Sequence, residues 1–154
     1  MYRAMKQMIA RCFFQGSHAA DRSVKHSGQV FTPGFLVRNM LDYAGYVCGN
    51  ILEKHIIDNS CGAGAFLCEA VARYCSEYVA NHDDNVGLKA DLERFVHGIE
   101  LDPVVCADCR SNLDGIAKDF GVENVGWDLL NTNALSVTRY DGQMDFVVGN
   151  PPYV

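Results

Sequence analysis

The sequence predicts an α/β fold, a parallel sheet with helices on both faces, and three observations point to it. Short apolar runs of strand length alternate with longer segments of helical periodicity along residues 28–154. The run from His55 to Asp58 passes into a glycine turn, Gly62-Ala63-Gly64, and then into a helix. Asp58, the glycine turn, Glu100, Asn133 and Asn150 each fall at or just beyond the end of a different predicted strand, the rim where open α/β sheets bind ligands.

The elements follow in order. Residues 1–27 form an N-terminal helical, basic arm: Met5, Met8, Ile9 and Cys12 stand at helical spacing, and a polar, turn-rich stretch from Gln15 to Gly28 follows. Arg3, Lys6, Arg11, Arg22 and Lys25 against Asp21 give the arm a net charge of +4, which leaves −10 for residues 28–154 of a chain whose total is −6. Thr32 ahead of Pro33 has the form of a helix start, an N-cap oxygen before a proline at the first helical position. Phe35, Leu36, Met40, Leu41 and Ala44 supply the apolar face of a helix running to about Tyr46. After the first strand, Phe66, Leu67, Ala70, Val71 and Tyr74 resume helical spacing, and a shorter helix follows near Leu88 to Phe95. Val96 to Leu101 is the second strand, and Asp102-Pro103 opens a helix to about Phe120. Trp127 to Leu130 and Met144 to Gly149 are the third and fourth strands. Strands alternating with helices imply parallel pairing through right-handed crossovers.

Composition narrows the class. With 49% hydrophobic and 21% charged residues the chain has the makings of one globular domain. No apolar run approaches the ~18 residues of a membrane span, and no leader pattern opens the chain, so a cytoplasmic protein without a membrane partner is expected. The seven cysteines are odd in number and lie in helix and strand segments, which is the pattern of reduced thiols. Cys106-x-x-Cys109 has no second pair at metal-ligand spacing, so it is expected to be two thiols on a helix, with no metal. Cys61, Cys68 and Cys75 recur every seven residues, one face of a helix. A net charge of −6 argues against a free-standing nucleic-acid binder, since phosphate affinity comes largely from Lys and Arg.

The rim residues suggest a ligand. Gly62 and Gly64 let the backbone approach a bound group closely. A dinucleotide fingerprint needs a further glycine where this chain has Leu67, and its ribose-binding acid should come ~20 residues on, far short of Glu100. Glu100 at a strand end still suits two ribose hydroxyls, so the pair points to a nucleoside without a pyrophosphate. Phe31 and Phe66 fit a core role as well as a ligand contact. In Asn150-Pro151-Pro152-Tyr153 the two prolines cannot continue a ladder, which leaves the Asn150 side chain and the proline carbonyls directed out of the strand end. A plain Asn-Pro turn would account for that tetrapeptide taken alone.

Together these segments resemble the class I S-adenosylmethionine-dependent DNA adenine-N6 methyltransferases, in the arrangement of restriction-modification enzymes that places the cofactor motifs ahead of the target-recognition domain. Gly28-Gln29-Val30-Phe31-Thr32-Pro33 is similar to that family's leading motif, which touches the cofactor's methionine moiety. Asp58-Asn59-Ser60-Cys61-Gly62-Ala63-Gly64-Ala65-Phe66 resembles its glycine motif, and Gly98-Ile99-Glu100-Leu101-Asp102-Pro103 its acidic ribose motif. Asn131-Thr132-Asn133-Ala134-Leu135 is similar to the stretch that meets the cofactor's adenine, and Asp145 to Tyr153 to the catalytic motif. The family often has Pro at the position of Asn59 and commonly Asp at that of Asn133. Asn133 keeps a carbonyl oxygen with which to accept from an adenine amino group.

The resemblance implies a Rossmann-like fold of seven strands, about four of which can be counted here, and S-adenosyl-L-methionine as cofactor. It implies cofactor contacts at Thr32, Asp58, Cys61, Gly62, Gly64, Phe66, Glu100, Leu101, Asn133 and Ala134, and a catalytic group of Asn150, Pro151, Pro152 and Tyr153. The adenine amino nitrogen is a poor nucleophile because its lone pair is delocalised into the ring. Acceptors at Asn150 and Pro151 would localise that pair, while Tyr153 would stack on a base flipped out of the duplex. The expected partners are DNA and a restriction endonuclease, separate or fused. Residues 1–154 alone are expected to bind the cofactor weakly and not to methylate DNA. Two other classes share features: methyltransferases of a protein glutamine amide or an RNA base, and a non-catalytic partner with a vestigial methyltransferase domain.

Overall fold

The computed structural model describes residues 32–151. The basic arm and the domain boundary expected at residue 28 lie outside the described residues, as do Pro152 and Tyr153. Helix α1 spans Gly34–Tyr43, strand β1 Ile56–Asp58, helix α2 Ala65–Asn81 and helix α3 Leu88–Phe95. Strand β2 spans Val96–Glu100, helix α4 Pro103–Asp119 and strand β3 Asp128–Asn131; a 3-10 turn at Ala134–Ser136 leads on to strand β4, Phe146–Val148. The four strands form one parallel sheet in the order β3-β2-β1-β4. The order reverses between β1 and β4, so a crevice opens at the carboxyl ends of these two strands.

Local chemistry explains the helices. Asp102 caps α4, its Oδ1 accepting the Val104 and Val105 N–H groups at 2.8 and 3.2 Å, with Pro103 in the first turn where a missing N–H costs nothing. Helix α2 buries Phe66, Leu67, Ala70, Val71, Tyr74 and Cys75, the predicted face. These side chains join Ile56 and Val96 of the sheet, Leu88 and Leu92 of α3, and Cys109, Leu113 and Ala117 of α4 in one core. The sheet face that carries Ile56, Val96 and Leu129 meets this helical layer. Residues of the other face, Ile57 and Ile99, are buried but stand outside that cluster, and Val147 on the same face is 63% exposed.

Gly98 lets α2 sit against the sheet. A Cβ there would come within 2.6 Å of Leu129 Cδ2 and 2.8 Å of Leu67 Cδ1. Arg73 of α2 then ties down α1 and the chain after it: its guanidinium donates to Asp42 at 2.6 Å, to the Tyr46 carbonyl at 2.8 Å and to Glu69 at 3.0 Å. At the amino ends of the strands, His55 Nδ1 meets His97 Nε2 at 2.8 Å and His97 Nδ1 meets Asp128 Oδ2 at 2.6 Å. Tyr140 also donates to Asp128, at 2.9 Å, and Arg139 pairs with the same carboxylate. This polar network fixes the register of β1, β2 and β3 at the end remote from the crevice.

Three expectations are corrected. Pro33, rather than Thr32, occupies the N-cap of α1, and no side chain caps that helix. The inward face of α1 is Val37 and Leu41, whereas Phe35, Leu36 and Met40 are exposed at 62%, 40% and 37%, because α1 packs on α2 through one narrow stripe. Cys61 does not share a helix face with Cys68 and Cys75: it lies in the glycine turn ahead of α2, buried in the core beside Cys109 of α4. The six described cysteines are all free thiols.

Replacing Gly98 with Val should lower the unfolding free energy by about 1–3 kcal/mol, the usual cost of overpacking a filled core. Urea denaturation of the two proteins measures it, and equal midpoints would contradict the packing described.

Candidate active site

Four strand ends define the rim. Asp58 is the last residue of β1 and Glu100 the last of β2; Asn133 and Asn150 each stand two residues beyond β3 and β4. The turn after β1 carries Gly62 and Gly64 at φ +55 and +92, backbone that favours glycine. A Cβ on Gly64 would also meet Cys109 Sγ at 2.8 Å, so the turn rests directly on α4. Glu100 holds the turn from the sheet side: one carboxylate oxygen accepts the Gly62 N–H at 2.9 Å and the other the Asp102 N–H at 2.9 Å. Each oxygen keeps a second lone pair for an added donor.

Asp58 is 1% exposed, and its Oδ1 accepts the Ser60 N–H at 3.0 Å. Burial pushes its carboxyl up to about 7, against the Ser60 hydrogen bond and with help from the Glu100 charge. Gly149, at φ +150, lies so close that a Cβ there would stand 2.7 Å from Asp58 Oδ1. The requirement for glycine at 149 is a feature of the site that sequence reasoning missed. Its signal was the glycine at the end of the fourth apolar run.

Between β1 and β4 lies a cleft of about 360 Å³ lined by Met40, Ala44, Asn59, Ser60, Phe66, Val147, Val148, Gly149 and Pro151. That volume is in the range of small-molecule sites. Phe66 is 2% exposed and lines the cleft as well, so it serves both the core and the site. Met40, expected in the core, is a wall of the cleft. Cys61 is buried under the glycine turn at 4% exposure, while Leu101, at 69%, stands open beyond β2. The Asn133 side-chain oxygen accepts the Leu135 N–H at 3.0 Å and caps the 3-10 turn that begins at Ala134, which leaves it a second lone pair for an added donor. Asn150 Nδ2 lies 3.2 Å from the hydroxyl of Thr32, a residue 7% exposed, which brings the leading and catalytic motifs together.

A glycine turn held by a strand-end carboxylate, with a cleft at the reversal of strand order, defines an α/β fold built to hold a nucleoside-bearing ligand. The comparisons with known proteins agree. The N-6 DNA Methylase family matches residues 14–154, and the chain belongs to it. It is 30% identical over 142 residues to the type II methyltransferase M.PaeR7I of Pseudomonas aeruginosa, a match covering 88% of this chain and 25% of that protein. It is 26% identical over 134 residues to the EcoEI type I restriction enzyme methylase subunit of Escherichia coli, covering 86% of this chain and 25% of the relative. The chain thus spans about a quarter of the length of these relatives. A modification subunit attributed to a type I restriction enzyme of Vibrio vulnificus YJ016 shares the fold at a TM-score of 0.56 and 20% identity, over 98% of this chain and 28% of that one.

Membership implies S-adenosylmethionine as the cofactor. The donor set fits it: open lone pairs on Glu100 suit two ribose hydroxyls, and Asp58 is an acid near neutrality beside a cleft that would receive a positively charged ligand. No helix among the described residues is long and apolar enough to cross a membrane.

The Asp58 shift gives a signed expectation. Below pH 7 the carboxyl is protonated and neutral, and above it the carboxylate favours a cation. Affinity for S-adenosylmethionine should therefore rise between pH 6 and pH 8 and then level off. Calorimetry across that range should show the rise in the wild type and a flat profile in Asp58→Asn. A flat wild-type profile would contradict the assignment.

Proposed function

We propose that the protein carrying this chain transfers a methyl group from S-adenosylmethionine to the N6 amino group of adenine in DNA, as the modification component of a restriction-modification system. The observation that supports this most is the placement of Asn150 beyond β4, beside the β1/β4 cleft, in a chain of the N-6 DNA Methylase family. When held by Glu100, Asp58 and the glycine turn, the cofactor would supply an electrophilic methyl group on a positively charged sulfur, and the amino nitrogen that receives it would release one proton to solvent.

The chain's own residues hold and orient. Glu100 would accept the ribose hydroxyls while its existing bonds to Gly62 and Asp102 keep the carboxylate in place. Asp58 would balance the cofactor's positive charge. Cys61, Gly62 and Gly64 shape the turn that faces it, and Phe66 closes the cleft from the helix side. Leu101 and Ala134 would offer apolar surface for the cofactor's adenine, and Asn133 would accept from the adenine amino group through the remaining lone pair of its side-chain oxygen. The Asn150 side-chain oxygen and the Pro151 carbonyl would accept from the target amino group, drawing its lone pair out of conjugation. Pro152 and Tyr153 lie outside the described residues; by the resemblance to the family's catalytic motif they would complete the group, Tyr153 as the ring on which a flipped base stacks. In the reading we favour, residues 28–154 form the cofactor-binding domain of a cytoplasmic protein, with the basic arm ahead of it. DNA binding falls largely to other parts of that protein, since residues 28–154 carry a charge of −10.

A labelled-methyl assay of the native polypeptide containing these residues, offered DNA, RNA and protein, tests the proposal. Label should enter adenine in DNA, and Asn150→Ala should cut kcat on the order of 10²-fold or more, the scale of losing one aligned polar group at a reacting centre. Label confined to protein or RNA would overturn it.

A further inference from the structure

Thr32 does not cap the helix it precedes. The N-cap of α1 is Pro33, and its carbonyl accepts the Leu36 and Val37 N–H groups at 2.9 and 3.1 Å. The Thr32 hydroxyl is instead within 3.2 Å of Asn150 Nδ2, across 118 residues of sequence. The direction of that bond follows from chemistry. An amide nitrogen has no lone pair to accept with, so Nδ2–H donates and Thr32 Oγ1 accepts. The planar amide then has its oxygen on the side away from Thr32. Rotation about the last torsion of an asparagine is soft and roughly two-fold, so a bond to a buried hydroxyl limits it; that hydroxyl can also donate, and the choice of face is completed when the acceptor's NH2 stands against the amide oxygen.

That selection matters for the proposed reaction. With nitrogen toward Thr32, the free Asn150 oxygen is an acceptor for an amino group. With the amide reversed, NH2 would confront NH2, donor against donor. Thr32 is well placed to hold the choice: it is buried to 7% exposure and joins α1, which is anchored in the core by Val37 and Leu41 at 2% and 0% exposure.

We propose that Thr32 is a positioning residue, which acts through Asn150 by accepting a hydrogen bond from its amide nitrogen and so holding the side chain with the amide oxygen toward the methyl acceptor. This rests on the assignment of Asn150 to the reacting amino group. It gives Thr32 a role separate from the cofactor contact that its motif suggests.

The test compares wild type, Thr32→Val, which removes the hydroxyl at nearly constant shape, and Thr32→Ser, which restores it. In the native polypeptide, Thr32→Val should lower kcat about tenfold, the scale of one lost hydrogen bond, with KM for S-adenosylmethionine within about twofold of wild type. Thr32→Ser should recover most of the rate. A raised KM at unchanged kcat, or a serine variant as slow as the valine one, would overturn the proposal. A second readout needs no turnover: in nitrogen-15 spectra, one Asn150 side-chain amide proton should be protected from solvent exchange in wild type and Thr32→Ser and unprotected in Thr32→Val. Exchange indifferent to residue 32 would overturn the proposal by itself. Failure of the methylation reading would appear separately, as a wild-type protein that labels no adenine in DNA.

Discussion

Parallel pairing of β1 with β4 is the constraint on which the rest of the rim depends. Asp58 pairs in register with Val148, and the chain beyond β4 then passes Asp58 so closely that only glycine fits at 149. This contact brings the first carboxylate and the start of the Asn-Pro segment to one place. It also sets the width of the cleft, since Asn59 and Ser60 line it from one strand and Val147 to Gly149 from the other. On the far side of β1, Glu100 reaches back to the Gly62 N–H, so the glycine turn, closed on itself by the bond from the Gly64 N–H to the Cys61 carbonyl at 2.8 Å, is also held from the end of β2. With the four described strands all parallel, every carboxyl end is delivered to the same rim, where Asp58, Glu100, Asn133 and Asn150 stand.

The cost of this arrangement is visible in Asp58. A carboxyl with 1% exposure is unfavourable as an anion unless charge arrives to balance it, and burial holds it near neutrality. The same burial makes the residue responsive to a cation. The opposite end of the sheet solves its polar burial internally: His97 is held between His55 and Asp128, with Tyr140 and Arg139 completing the network. Burial lowers the His97 pKa against the pull of Asp128, which favours a neutral imidazole. One end of the sheet is closed and satisfied, the other is built to receive.

Much of this could be read along the chain because it is local. The helix from Leu88 to Phe95, the Asp102-Pro103 start of α4 and the buried face of α2 are each specified by residues within a few positions of one another. What sequence reasoning did not reach is long-range. Thr32 has the form of an N-cap when only its neighbours are considered, and its partner lies 118 residues away. The heptad of Cys61, Cys68 and Cys75 suggested a helix face, but the glycine turn falls between the first two and sends Cys61 to Cys109 instead. Phe35 and Leu36 suit a buried stripe by type, yet which stripe of α1 is buried is decided by α2.

A crystal structure of the chain grown with S-adenosylhomocysteine, the demethylated product, tests the central claim most directly. The account predicts the nucleoside at the carboxyl ends of β1 and β2, with both ribose hydroxyls on Glu100 and the amino acid portion reaching toward Asp58 and the β1/β4 cleft. Density for the ligand on any other surface, or a Glu100 carboxylate that makes no contact with it, would contradict the account.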